Sequence, residues 1–305
     1  MLCRMSQPVI IDCDPGIDDA LALMLAAGSP ELELLGVTCV AGNRPLDRTA
    51  PNACRVLDVA GASSVPVYAG CARPLAQPEP RSNLVHGDDG LGGAALPLQR
   101  PPEAQHAVDF IADTLLRAQP GTITLIAVGP LTNLALAEIK HAGVLRRAKA
   151  LLVMGGAAFR RGNVTPHAEF NFWADPVAAH VVVGADAPLT VFGLDVTEQA
   201  RMSHEWIESL SELPGRSAQA AHAMLSGYQT KEHLLHDACP VAYAIEPALF
   251  AGERHRLSVD WQPGETEGRL LASPAQGDDG GALLMRRVDG TRLLSLVRER
   301  VAQLP

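Results

Sequence analysis

No stretch of this sequence is apolar for long enough to cross a membrane, and its opening residues, MLCRMSQPVI, hold no signal-peptide core. The six cysteines (Cys3, Cys13, Cys39, Cys54, Cys71 and Cys239) form no CxxC pair, which removes a thiolate zinc site. Cys13 and Cys39 fall in apolar runs and read as reduced packing residues, so a cytoplasmic location is expected. There is no excess of positive charge. A net charge of −9 argues against nucleic acid or an anionic membrane as partner. No Walker A motif occurs and no GxGxxG follows a strand, so nucleotide phosphates have no recognisable cradle. A GxSxG nucleophile elbow is missing too. No internal repeat, low-complexity segment or linker divides the chain. A single domain over 1–305 is the simplest reading, and that length buries about three quarters of the unfolded-chain surface.

What is there begins at Pro8–Gly28, PVIIDCDPGIDDALALMLAAG. Val9–Ile11 reads as a buried strand, Pro15-Gly16 breaks it, and a helical pattern runs from Ile17 until Gly28 stops it. Asp12, Asp14, Asp18 and Asp19 crowd the turn between strand and helix. One Asp at a helix start is ordinarily a cap. Four within eight residues repel one another unless the helix dipole or a hard cation compensates. A helix-loop-helix calcium loop is excluded, because its fifth position, counted from Asp12, is Gly16 rather than an acid.

Downstream, apolar runs at 34–40, 65–68, 122–128, 150–154 and 189–194 alternate with helical patterns ending near Ala60 and spanning 104–118, 131–141 and 176–183. This alternation predicts an α/β fold: a Rossmann-like, open, mostly parallel sheet with helices on both faces. Residues 203–250 read as helical, giving a helical C-terminal portion, with one strand at 256–260 and a last helix at 291–302. The Pro- and Gly-rich stretch 71–102 is too long for an ordinary connection and reads as functional or mobile. In such sheets ligands gather beyond the carboxyl ends of the strands, here Asp12–Asp19, Asn43, Val128-Gly129, Met154-Gly155 and Asp195. Two loops add polar groups: Gly155–Asp175, with Asn163, Glu169 and Asn171 suited to polyol hydroxyls, and Val85–Gly93, with His86. His236 stands beside Asp237, a weak signal alone.

Together these stretches resemble the inosine-uridine preferring nucleoside hydrolase family. The resemblance is carried by DCDPGIDDA at 12–20, GN at 42–43, VGPLTN at 128–133, MGGA at 154–157, GNVTPHAEFN at 162–171 and HD at 236–237. It runs from about residue 9 to about 250. It implies hydrolysis of the N-glycosidic bond of ribonucleosides to ribose and free base, with bound Ca²⁺. By position, Asp14, Asp19 and Asp237 would ligate the ion through carboxylates and Val128 through its carbonyl, with Asp14 also the base. Asp18, Asn43, Asn163, Glu169, Asn171 and Met154 would hold the ribose. His236 would be the acid for the leaving base, His86 would aid proton delivery, and Tyr228 would lie near the base. A homodimer or homotetramer is implied. Asp12 remains a support behind these groups.

Two departures stand out. GETEGRLLAS at 264–273 replaces the Gly-Arg/Thr-rich turn and strand of the family, and Met224 replaces a polar side chain near the base. Two other readings compete. In a haloacid-dehalogenase-type, Mg²⁺-dependent phosphatase, Asp12-x-Asp14 would be nucleophile and acid and Gly277-Asp278-Asp279 the late metal acids. The other is a non-catalytic nucleoside- or ribose-binding homologue.

Overall fold

The computed structural model describes residues 6–228, 233–275 and 281–305. In chain order the strands and helices open with β1 (Gln7–Cys13), α1 (Ile17–Ala27), β2 (Leu32–Cys39), α2 (Leu46–Val59) and β3 (Val67–Ala69). The middle comprises α3 (Ala107–Arg117), β4 (Thr124–Ala127), α4 (Thr132–Lys140), β5 (Ala150–Met154), α5 (Phe170–Ala174), α6 (Pro176–Val183) and β6 (Leu189–Phe192). The remainder is α7 (Leu194–Thr197), α8 (His204–Ser211), α9 (Arg216–Ser226), α10 (Ala238–Ile245), β7 (Phe250–Asp260), β8 (Arg269–Pro274), β9 (Ala282–Val288) and α11 (Gly290–Val301).

The nine strands form one sheet in the order β3-β2-β1-β4-β5-β6-β9-β7-β8. Strands β1 to β6 and the β6–β9 pair are parallel, while β7 runs antiparallel to both its neighbours. The first six strands follow the doubly wound order, and the winding reverses between β1 and β4. Side chains alternate across the sheet, as a period of two requires. Val9, Ile11 and Cys13 of β1 pack with α1, α2, α9, α10 and α11 on one face; Ile10 packs with α3, α4 and α6 on the other. The helices therefore cover both faces, as the alternation of elements predicts. Asp12 shares the register of Ile10 and so points toward the α4 side.

The sequence reading missed most of the antiparallel extension. In β7 only His255 and Val259 are buried, so its residues show no apolar alternation. Strand β8 falls on the divergent GETEGRLLAS segment and buries Leu270 alone. A polar strand held by its neighbours' backbone leaves little trace in a hydropathy pattern. The short α5 lies inside the stretch read as a loop, because Glu169 caps its first turn. Met224 is fully buried in the core. Among the described residues no helix is long and apolar enough to cross a membrane, and the five described cysteines are free thiols.

Candidate active site

At the reversal point the chain leaves β1 into the Asp14-Pro15-Gly16 turn and leaves β4 at Val128-Gly129. The turn is tied by its own acids. Asp19, in the first turn of α1, accepts from the backbone N–H of Asp14 through Oδ1 (3.1 Å) and from that of Gly16 through Oδ2 (2.9 Å). Asn43, beyond the end of β2, donates its backbone N–H to Asp14 Oδ2 (2.5 Å). Its side-chain amide donates to Asp19 Oδ2 (3.1 Å). The Asp14 carboxylate lies between Gly42 and Gly129, where a Cβ at either position would collide with it. Its Oδ1 is buried without a hydrogen-bond partner among the described residues.

Over this turn opens a cavity of about 370 Å³. Of the residues singled out from sequence, Asp18, Asn43, His86 and Val128 line it, as do Met154, Asn163 and Glu169. Asn171, Tyr228, His236 and Asp237 complete that set. Asp14 and Asp19 stand behind the wall, bonded to Asn43. Asp237 arrives from the start of α10, more than 200 residues along the chain, to join them. Carboxylate oxygens of Asp18, Asp19 and Asp237 lie within 4.8 Å of one another. The sequence reading assigned Asp18 to the ribose and Asp14, with Asp19 and Asp237, to the metal; Asp18 lies close to Asp19 and Asp237, and Asp14 is tied to Asp19 through its backbone N–H.

Burial pushes every acid of the cluster up. The Asp18 carboxyl rises to about 7, from burial first and Asp19 second. Asp14 goes well above the usual range through burial and the Asp19 charge, and Asp237 does so through burial and Asp18. Carboxylates packed this closely in a low-dielectric interior cannot all ionise without a compensating positive charge. The converging carboxylates of Asp18, Asp19 and Asp237 form an all-oxygen donor set. Such a set fits a hard divalent cation.

The opposite wall is built by α5 and the strand ends. Glu169 accepts from the backbone N–H groups of Gly156, Asn171 and Phe172 (2.9, 2.9 and 3.2 Å). Burial nevertheless holds its carboxyl up at about 6. Asn171 donates to the carbonyls of Val128 (2.9 Å) and Met154 (3.2 Å), pinning two strand ends. Asn163 accepts from the Phe170 N–H (3.0 Å), which turns its amide nitrogen to other partners. The Ile17 N–H donates to His86 Nδ1 (3.1 Å), so the neutral ring carries its proton on Nε2, 3.9 Å from Asp18 Oδ1. His86 stacks on Tyr228, with centroids 5.1 Å apart. His236 Nδ1 lies 2.8 Å from Thr197 Oγ1. Burial lowers His236 to about 4 and, with His236 nearby, His86 to about 3.

Several participants escaped the sequence reading. Asn83, in the 71–102 stretch, donates to Asn43 Oδ1 (2.8 Å) and lines the cavity, as do Val164, Leu234 and Glu198. Asn83 stands three residues before His86, Val164 lies inside the 162–171 motif and Leu234 stands two residues before His236; Glu198 had no signal. Asp12 turns away from the cavity and accepts from Thr38 (2.5 Å) and Asn133 (2.8 Å). A phosphatase nucleophile must face its substrate, so this placement removes Asp12 from that role. Gly277-Asp278-Asp279, the other part of the phosphatase reading, lies outside the described residues.

Residues 9–295 match the family described as inosine-uridine preferring nucleoside hydrolase, extending the likeness well past residue 250. The chain is 38% identical to the inosine-uridine preferring nucleoside hydrolase of Leishmania major, over 88% of each chain. It is 36% identical to the pyrimidine-specific ribonucleoside hydrolase RihA of Shewanella sp. (strain MR-7), over 98% of this chain and 97% of that one. Among solved structures, the purine-preferring ribonucleoside hydrolase from Gardnerella vaginalis superposes with a TM-score of 0.91 at 30% identity, covering 97% of this chain and 98% of the other.

Proposed function

The chain belongs to the inosine-uridine preferring nucleoside hydrolase family, and from that premise we propose a division of labour for cleaving the N-glycosidic bond of a ribonucleoside. Asp14, Asp19 and Asp237 with the Val128 carbonyl would hold Ca²⁺, with Asp18 beside them, and the ion would supply positive charge against the acids and lower the pKa of a water. Asp14 takes the proton from the attacking water as its oxygen bonds to C1′ of the ribose and the C1′–N bond breaks.

Asp18, Asn43, Asn163, Glu169 and Asn171, with the Met154 strand end, hold the ribose hydroxyls. Contacts of this kind accelerate the reaction where they tighten as oxocarbenium character develops on the sugar. His236, as the imidazolium, gives its Nε2 proton to the departing base and returns to the neutral ring. In that form its Nδ1–H donates to the Thr197 hydroxyl, which leaves the Nε2 proton free for the base. The His86 Nε2–H faces Asp18, which suits orienting that acid and, through it, proton delivery. Tyr228 packs beside the base.

The observation that carries this reading is the meeting of the Asp18, Asp19 and Asp237 oxygens beside the orphaned Asp14 Oδ1, under a cavity lined by side-chain amides. The three relatives compared differ in their named base preference, so the base is left to experiment. The test is ribose release from a panel of uridine, cytidine, inosine, adenosine and guanosine with Ca²⁺, with Asp14→Asn as control. Turnover is expected for at least one nucleoside and lost in the variant. Wild-type-like rates in Asp14→Asn would remove it as the base. Tight nucleoside binding without product would make the chain a binding protein instead. A homodimer or homotetramer in the cytoplasm completes the reading; light scattering checks the assembly.

A further inference from the structure

Glu198 lines the cavity but has no part in the ribose cradle or the acid cluster. It is the residue after Thr197, whose hydroxyl holds His236, and it caps the carboxyl end of α7. Glu198 and His236, the group assigned to the leaving base, line the same cavity and are linked through Thr197. Leu234 and Tyr228 line the same cavity. Glu198 Oε2 lies 2.6 Å from an Arg160 guanidinium nitrogen, a residue of the loop that also carries Asn163. The Arg160 side chain is 53% exposed and that of Glu198 27%, so the arginine anchors the carboxylate from the solvent side.

We propose that Glu198 is a specificity-determining residue that reads the base by accepting a hydrogen bond from an N–H on the edge remote from the glycosidic bond. This deepens the nucleoside-hydrolase reading and rests on it. The substrate class is ribonucleosides whose base carries such a donor: the N3–H of uracil, the exocyclic amine of cytosine or the N1–H of hypoxanthine. An anionic acceptor forms stronger hydrogen bonds than a neutral one and repels a base edge made only of acceptors. A polar group partly removed from water also discriminates strongly against a substrate that leaves it unpaired.

The test compares kcat/KM for uridine with 3-methyluridine, and for inosine with 1-methylinosine, in wild type, Glu198→Ala and Glu198→Met. Methylation removes the donor and leaves the ribose and leaving group in place. Wild type is expected to prefer the unmethylated nucleoside by roughly tenfold or more. Either variant should collapse that preference, with the loss on uridine falling mainly on KM. The two variants remove the same acceptor with different bulk, so one that fails to fold leaves the other as the test. A wild-type preference near one, or a preference unchanged in a folded variant, overturns the role of Glu198 while leaving nucleoside hydrolysis intact. Failure of wild type on every nucleoside would instead overturn the underlying reading.

Discussion

The sharpest test of the Asp14 assignment replaces a neighbour rather than Asp14 itself. In Gly129→Ala the new Cβ falls 2.6 Å from Asp14 Oδ1 and 3.1 Å from its Cγ. Gly129 has no left-handed backbone, so alanine adds bulk without backbone strain. Restoring ordinary contact moves the oxygen from 2.6 to 3.4 Å, a shift of about 0.8 Å. Retreat is blocked on the far side, where Oδ2 lies against Gly42 and accepts from the Asn43 N–H. Misplacing a reacting group by about 1 Å costs on the order of 10²-fold in rate, and overpacking costs roughly 1–3 kcal/mol of stability. The expected result is kcat for ribose release down by about 10²-fold with KM little changed, because the ribose partners are untouched. Melting temperature is followed in parallel, with Gly264→Ala as control, since a Cβ there meets nothing within 4 Å. A folded Gly129→Ala enzyme with kcat within roughly threefold of wild type would refute the claim that the Asp14 carboxylate must sit where it does.

Two further outcomes follow from the same geometry. His236→Ala should lose far more activity on natural nucleosides than on a nitrophenyl riboside, whose leaving group departs without a proton; equal losses on both would argue against His236 as the acid. Chelation should lower the melting temperature, and Ca²⁺ at about 100 times its dissociation constant should restore about 2.7 kcal/mol, roughly 5 °C for a chain of this size. Asp237→Asn and Asp19→Asn should each blunt that shift. A wild-type melt indifferent to both chelator and Ca²⁺ would sink the cation assignment.

The strand-turn-helix at 9–28, the βα alternation and the placement of the acids at strand ends were legible in the chain because each is a local pattern. A buried parallel strand reads as a short apolar run, and a helix start declares itself by its first-turn acids. Strands β7 and β8 were largely hidden, since most of their residues lie outside the core and their pairing comes from neighbouring backbone. Residues 9–250 also carried the family motifs, so the expected chemistry was visible before the geometry. The division of the acids was not. Strand register turns Asp12 toward Thr38 and Asn133, away from the cavity. Asp237 and Glu198 reach the cavity only because α10 begins and α7 ends at its rim. The opening motif thus determined by itself that acids would crowd one turn. Which of them meet, which is left with a bare oxygen and what faces the base were decided by tertiary structure, because those properties depend on distances between segments far apart in the chain.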